Sequence, residues 1–158
     1  GRVIACDPYI IDGDFPAYVE RATLVELFES ADVISLHVPL TAETRGMVGA
    51  GLLARIRPDA VLVNTARGAV VDVDALLASL DAGRLAAAAL DVLPSEPLDT
   101  GHALARHPRV LLTPHAAFYS VEAEQELRRK AALNVVQWAR QGRPAYCVVA
   151  GTRRPLAA

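Results

Sequence analysis

Lysine is nearly missing from this chain. Lys130 is the only one in 158 residues, so arginine carries almost all the positive charge. Together with the many alanines this reads as the codon bias of a GC-rich genome rather than as a binding surface. Lys and Arg total 16 against 18 Asp and Glu, for a net charge of −2. Without an excess of either sign, nothing in the charge argues for nucleic acid or an anionic membrane as partner. Cysteine is scarce as well. Cys6 and Cys147 cannot build a disulfide framework, and a reduced, cytoplasmic chain is the expectation. No apolar run approaches the roughly 20 residues that span a bilayer, and no signal-peptide pattern is present. The chain opens on Gly1 and runs straight into a strand, so the lack of a targeting segment carries little weight. No His/Cys/Asp cluster has metal-ligand spacing, and no metal is expected.

What the chain does have is apolar material. It is 53% hydrophobic with a mean hydropathy of +0.27, which excludes disorder and suits one domain with a sizeable core. Short β-type runs alternate with helical ones. Strands are predicted at 3–6 (VIAC), 33–38 (VISLHV), 60–64 (AVLVN), 85–91 (LAAAALD) and 110–113. A capping box, Thr23-x-x-Glu26, opens a helix ahead of Leu24, Leu27 and Phe28. A short helix is predicted over 50–56. Another starts at Asp72 or Val73, runs through Leu80 and is closed by Gly83. A long helix capped by Ser120 reaches about Gln141 and ends at Gly142. Residues 9–21 are polar with little period and read as a surface loop. Strands without polar alternation, separated by helices, indicate an α/β fold with a doubly wound parallel sheet.

In such sheets ligands bind outside the carboxyl ends of the strands. The residues there are Asp7, Val38 and Pro39, then Thr65, Ala66 and Arg67, then Asp91 and Glu96, and finally His115. Asp7 stands where a dinucleotide fold places the carboxylate that accepts from ribose hydroxyls, and it would favour NAD over its 2′-phosphorylated form. The alternative is a turn-initiating Asp before Pro8. Arg67 can hold a carboxylate by two hydrogen bonds and polarise an adjacent carbonyl, with Gly68 allowing close backbone approach. His115 can take or return a hydroxyl proton. Glu96, in a loop stiffened by Pro94 and Pro97, can fix the tautomer of that imidazole. Each taken alone is also compatible with a solvated surface residue. As a set, on successive strand ends, they suit hydride chemistry on an alcohol that bears a carboxylate. His37 reads as a structural hydrogen bonder, and His102 and His107 as solvated loop residues.

These segments resemble the NAD-binding domain of the D-isomer-specific 2-hydroxyacid dehydrogenases. The stretches that carry the resemblance are Cys6-Asp7-Pro8-Tyr9, Ser35-Leu36-His37-Val38-Pro39-Leu40-Thr41 through Thr44, and Leu62-Val63-Asn64-Thr65-Ala66-Arg67-Gly68. Ala89-Leu90-Asp91-Val92, Glu96-Pro97 and Thr113-Pro114-His115 complete them. The resemblance implies a Rossmann-type sheet, catalytic Arg67, Glu96 and His115, and NAD contacts at Asp7, Val38, Pro39, Thr44, Thr65, Ala66, Arg67, Asp91, His115 and Ala117. It implies a small 2-hydroxy or 2-keto acid as substrate and a homodimer of the complete protein; from the charge balance and the lack of a long apolar run, no nucleic acid or membrane partner is expected. The run His115-Ala116-Ala117-Phe118-Tyr119-Ser120 is similar to the branch of C-terminal binding proteins, which are NAD(H)-sensing corepressors. A binding scaffold therefore stands beside the enzyme, and an inactive truncated remnant is the third possibility.

One family feature is not among these residues: the Gly-x-Gly-x-x-Gly loop, with the strand before it and the helix after it. The expectation is therefore part of a longer enzyme, with residues 1–142 a partial NAD-binding domain and 143–158 a tail returning toward a substrate domain. In the order 3-2-1-4-5-6 the first strand is central. Without it, strands 3–6 and 33–38 are expected as a pair, set apart from the sheet of 60–64, 85–91 and 110–113, with two apolar edges open.

Overall fold

The apolar runs at 33–36, 61–64, 87–90 and 110–112 become one parallel sheet in a computed structural model that describes residues 1–10 and 14–147. Strands β1 (Val3–Ala5) and β2 (Val19–Arg21) precede helix α1 (Leu24–Ser30) and strand β3 (Val33–Leu36). Then come α2 (Ala50–Leu53), β4 (Val61–Asn64), a 3₁₀ turn at Gly68–Val70 and α3 (Val73–Asp81). Strand β5 (Ala87–Leu90), α4 (Ala103–Arg106), β6 (Val110–Leu112) and α5 (Val121–Gln141) complete the order. The four-stranded sheet runs β3-β4-β5-β6, every pair parallel. The fold class is the expected one.

Local chemistry sets the helix ends. Thr23 accepts from the Glu26 N–H while the Glu26 carboxylate accepts from the Thr23 N–H, which closes the capping box that starts α1. Asp72 caps α3 through the Ala75 N–H, and Ser120 caps α5 through the Ala123 N–H. Gly83 and Gly142 take the left-handed conformation after α3 and α5, where a Cβ is penalised. The core lies against the larger sheet: Leu62, Leu76, Leu80, Leu85 and Phe28 are fully buried.

The structure corrects the expected strand grouping. Strand 33–36 pairs with β4, Val33 opposite Val61 and Leu36 opposite Asn64, so it belongs to the larger sheet. The partner of β1 is instead β2, from the stretch read as a surface loop; Val3 lies opposite Val19 and Ala5 opposite Arg21. Two of the three β2 residues are charged, Glu20 and Arg21, and none is buried. A strand that short and exposed leaves no apolar signature. Between β1 and β3 runs a cleft of about 500 Å³ lined by Val3, Ile4, Ala5, Val33, Ile34 and Leu36.

The histidine readings are corrected too. His102 caps α4, its Nδ1 accepting from the Leu104 N–H. The His107 side chain is 9% exposed, accepts from the Arg109 N–H at Nδ1 and places Nε2 3.4 Å from Asp81. Both are half-buried rather than free in solvent, and each satisfies a backbone donor at an element boundary. His37 is exposed and pairs with the Ser35 hydroxyl at 2.8 Å.

The chain divides into two compact units, Gly1–Ala117 and Phe118–Ala158. The second is built on α5, where Lys130 lies over the Tyr146 ring and the Tyr146 N–H donates to Asn134. No residue of α5 is buried. The tail expected over 143–158 falls outside the described residues from 148 onward. Among the described residues no helix is long and apolar enough to cross a membrane.

Candidate active site

The site is built at the ends of β4, β5 and β6. Asn64, the last residue of β4, is fully buried, and its carboxamide grips the loop that follows. Oδ1 accepts from the Ala66 N–H and Nδ2 donates to the Arg67 carbonyl, both at 3.0 Å. Arg67 itself is exposed, with Nη1 donating to the Ala66 carbonyl at 2.6 Å. Gly68 comes next, where a Cβ would lie 2.0 Å from the Leu93 carbonyl carbon. Only glycine lets the Arg67 loop pass this close to the loop after β5.

That second loop carries Glu96. One carboxylate oxygen accepts from the Leu93 N–H at 2.8 Å, so the side chain folds back on its own loop. The other faces His115 Nδ1, also at 2.8 Å. Its bond to His115 and the Leu93 N–H outweigh burial and hold the Glu96 carboxyl below the usual range. Both side chains are substantially exposed, 38% for Glu96 and 49% for His115. The pair therefore adds little to stability; its effect is to orient the ring. An ionised carboxylate only accepts, so the contact selects the tautomer that carries its proton on Nδ1.

His115 sits in a sharp turn after β6, its N–H donating to the Thr113 carbonyl at 3.0 Å. Its φ is +55°, which is uncommon for a residue with a Cβ. Asp91, just after β5 and 6% exposed, accepts from the Thr113 hydroxyl and the N–H groups of Ala116 and Ala117. Burial pushes the Asp91 carboxyl up, but these bonds and the nearby His115 leave it below its ordinary value.

Arg67, Glu96 and His115 line one cleft of about 260 Å³ together with Leu40 and Gly68. A neighbouring cleft of about 420 Å³ runs between Asp91, Glu96 and His115 and the apolar Leu93, Leu98 and Leu112. The other expected contacts lie elsewhere. Asp7 and Val38 line the cleft between β1 and β3, and Asp7 Oδ1 accepts from the Tyr9 N–H at 2.9 Å, the turn role considered for it. Thr44 is used locally: its hydroxyl donates to the Pro39 carbonyl at 2.6 Å and accepts from the Thr41 N–H. Thr65 is exposed, while the Ala66 and Ala117 N–H groups are held by Asn64 and Asp91. Among the described residues no cluster of three His, Cys, Asp or Glu could hold a metal.

Sequence reasoning passed over Asn64 and Thr113. Their signal was there: a polar side chain closing an apolar strand has to be satisfied when buried, and a loop backbone is the nearest partner.

Comparison with known proteins gives these residues a context. Residues 1–117 match the family model described as D-isomer specific 2-hydroxyacid dehydrogenase, NAD binding domain. The chain is 43% identical over 120 residues to a glyoxylate reductase of Aeropyrum pernix, covering 76% of this chain and 36% of that protein. It is 39% identical over 139 residues to a D-lactate dehydrogenase of Treponema pallidum, covering 80% and 42%. Among solved structures, a D-lactate dehydrogenase with NAD+ from Lactobacillus jensenii superposes with a TM-score of 0.84 at 31% identity, covering 95% of this chain and 48% of that one. The chain thus spans well under half the length of these curated relatives.

Proposed function

The chain belongs to the D-isomer specific 2-hydroxyacid dehydrogenase family, matching its NAD-binding domain, and from that premise we propose that it carries the catalytic groups for hydride transfer between NAD and a small 2-hydroxy or 2-keto acid. The observation that carries this reading is the shared cleft. A guanidinium, a carboxylate and an imidazole from three consecutive strand ends line it, and the carboxylate is already bonded to the imidazole.

The roles follow from the geometry. Arg67 binds the substrate carboxylate by two hydrogen bonds and polarises the neighbouring carbonyl, exchanging its bond to the Ala66 carbonyl for the ligand. His115 gives a proton to the carbonyl oxygen from Nε2 in reduction and takes it back in oxidation. Glu96 keeps the Nδ1 proton in place, so that Nε2 is the nitrogen that turns over. NAD, when bound, supplies or accepts the hydride.

The residues present fit that cofactor. Asp7 uses one carboxylate oxygen on the Tyr9 N–H, which leaves the other for ribose hydroxyls. Val38 and Pro39 offer an apolar wall to the adenine side. We assign the remaining contacts to Thr44, Thr65, Ala66, Arg67, Asp91, His115 and Ala117, through atoms other than the Ala66 and Ala117 N–H groups, which Asn64 and Asp91 already hold. We place the working protein in the cytoplasm as a homodimer, with residues 1–142 serving as part of its NAD-binding domain. The relatives named above are reductases and dehydrogenases, which lends the scaffold reading no support.

The test is a panel of 2-keto acids, including glyoxylate and pyruvate, incubated with NADH and the protein that bears this chain. The expected result is keto-acid-dependent loss of NADH absorbance, reduced by about two to four powers of ten in His115→Ala. NAD(H) binding without turnover on any keto acid would overturn the proposal.

A further inference from the structure

Two buried polar side chains stand at the ends of neighbouring strands. The Asp91 N–H donates to the Asn64 carbonyl at 2.9 Å, so the two residues are joined at the backbone. Each then spends its side chain on a loop rather than on the sheet. Asn64 holds the loop of Arg67, as described. Asp91 holds the turn of His115: Oδ1 accepts from the Thr113 hydroxyl and, at 2.9 Å, from the Ala116 N–H. Oδ2 accepts from the Ala117 N–H, also at 2.9 Å. Consecutive N–H groups bonded to the two oxygens of one carboxylate fix both peptide planes that follow His115.

The choice of side chain at each position is chemical. Around Asn64 the partners are one donor, the Ala66 N–H, and one acceptor, the Arg67 carbonyl, and an amide matches them. Around Asp91 all three partners donate. A carboxylate accepts at both oxygens, whereas an amide of the same shape would turn an NH₂ toward a donor. The turn needs such a hold because His115 sits at φ +55°, where an L residue with a bulky side chain persists only if its surroundings over-determine it.

We propose that Asp91 is a positioning residue: its carboxylate holds His115 in the left-handed turn that brings Nδ1 against Glu96. The catalytic importance of that orientation rests on the function proposed above; the clamp itself is a property of the turn. It accounts for a buried carboxylate beside the site that does not line the cleft shared by Arg67 and Glu96.

The experiment compares the wild type with Asp91→Asn and Asp91→Ala by NMR. It reads amide exchange at Ala116 and Ala117 and the imidazole nitrogen shifts of His115, which report where the ring proton sits. Asp91→Asn should keep the Thr113 and Ala116 bonds and release Ala117 alone, whose exchange rises by about tenfold or more. Asp91→Ala should release both amides and move His115 away from the Nδ1-protonated form, with the amides of β4 unchanged. If Asp91→Ala does not fold, the selective release of Ala117 in Asp91→Asn decides the matter. Wild-type exchange at both amides and wild-type ring shifts in the variants would overturn the proposal. Keto-acid turnover in Asp91→Ala should fall by about a hundredfold, mainly in kcat, as for a displaced catalytic group. Release of the turn in a protein with no keto-acid turnover at all would instead overturn the hydride-transfer reading and leave the clamp standing.

Discussion

The two sheets of this molecule are both parallel and both in strict register, yet they differ in what supports them. The four-stranded sheet carries the core, with Ile34, Leu62 and Leu90 almost wholly buried. The two-stranded sheet has no buried residue in either strand, and Val3 is 47% exposed. The chemistry is divided in the same way. Arg67, Glu96 and His115 all follow strands of the cored sheet, while Asp7 follows β1. A proton donor has to be held to a fraction of an ångström, which a cored sheet provides. A carboxylate that greets ribose hydroxyls tolerates a looser mount.

The comparison can be broken most directly through the chemistry. His115→Ala should lower keto-acid turnover by about two to four powers of ten, whereas Asp7→Ala should weaken NADH binding and leave kcat at saturating NADH nearly intact. Steady-state kinetics at varied NADH separates the two, and a large kcat loss in Asp7→Ala would erase the proposed division of labour. Stability should show the same contrast. Leu62→Ala, in a fully buried position, should cost about 2–5 kcal/mol. Ile4→Ala, half-buried on β1, should cost about 1 kcal/mol or less. Urea unfolding measures both, and equal costs would show that the two sheets share one core.

Smaller effects sharpen the picture. Gly68→Ala drives a Cβ into the Leu93 backbone and should cost about 1–3 kcal/mol, with chemical-shift changes concentrated in the loop of Glu96. The Glu96 carboxyl is held low by His115 and the Leu93 N–H. A depressed carboxyl contributes fully above its ordinary value, and the contribution is lost as pH falls through the lowered one. The His115–Glu96 contact should therefore hold from neutrality down to about pH 4.5 and weaken below it, as a carboxyl carbon titration would show. The slightest effect belongs to α5. Arg129 and Lys130 hold Glu126 down at about 2, so its ion pairs should persist well below the ordinary carboxylate range. Loss of those pairs near pH 4.5 would contradict this.

Much of this was legible in the sequence where a local rule applies. The capping box at Thr23, the caps at Asp72 and Ser120, and Gly83 and Gly142 as helix stops all depend on neighbours within a few residues. The strands of the larger sheet were visible as apolar runs. Strand β2 was not, because three residues with two charges leave no period to detect. Nor could the partner of strand 33–36 be read from its composition, since an apolar edge pairs equally well with either neighbour until the chain is folded.

By itself the sequence determined the α/β class, the residue types at each strand end, and the presence of an arginine, a glutamate and a histidine suited to one reaction. These follow from periodicity and side-chain chemistry, which are local. Only the tertiary structure decided that Glu96 lies against His115, that Gly68 touches Leu93, and that Asn64 and Asp91 hold the loops of Arg67 and His115. Those contacts join residues distant in the chain, and their hydrogen bonds exist only once the sheet has brought its carboxyl ends to one edge.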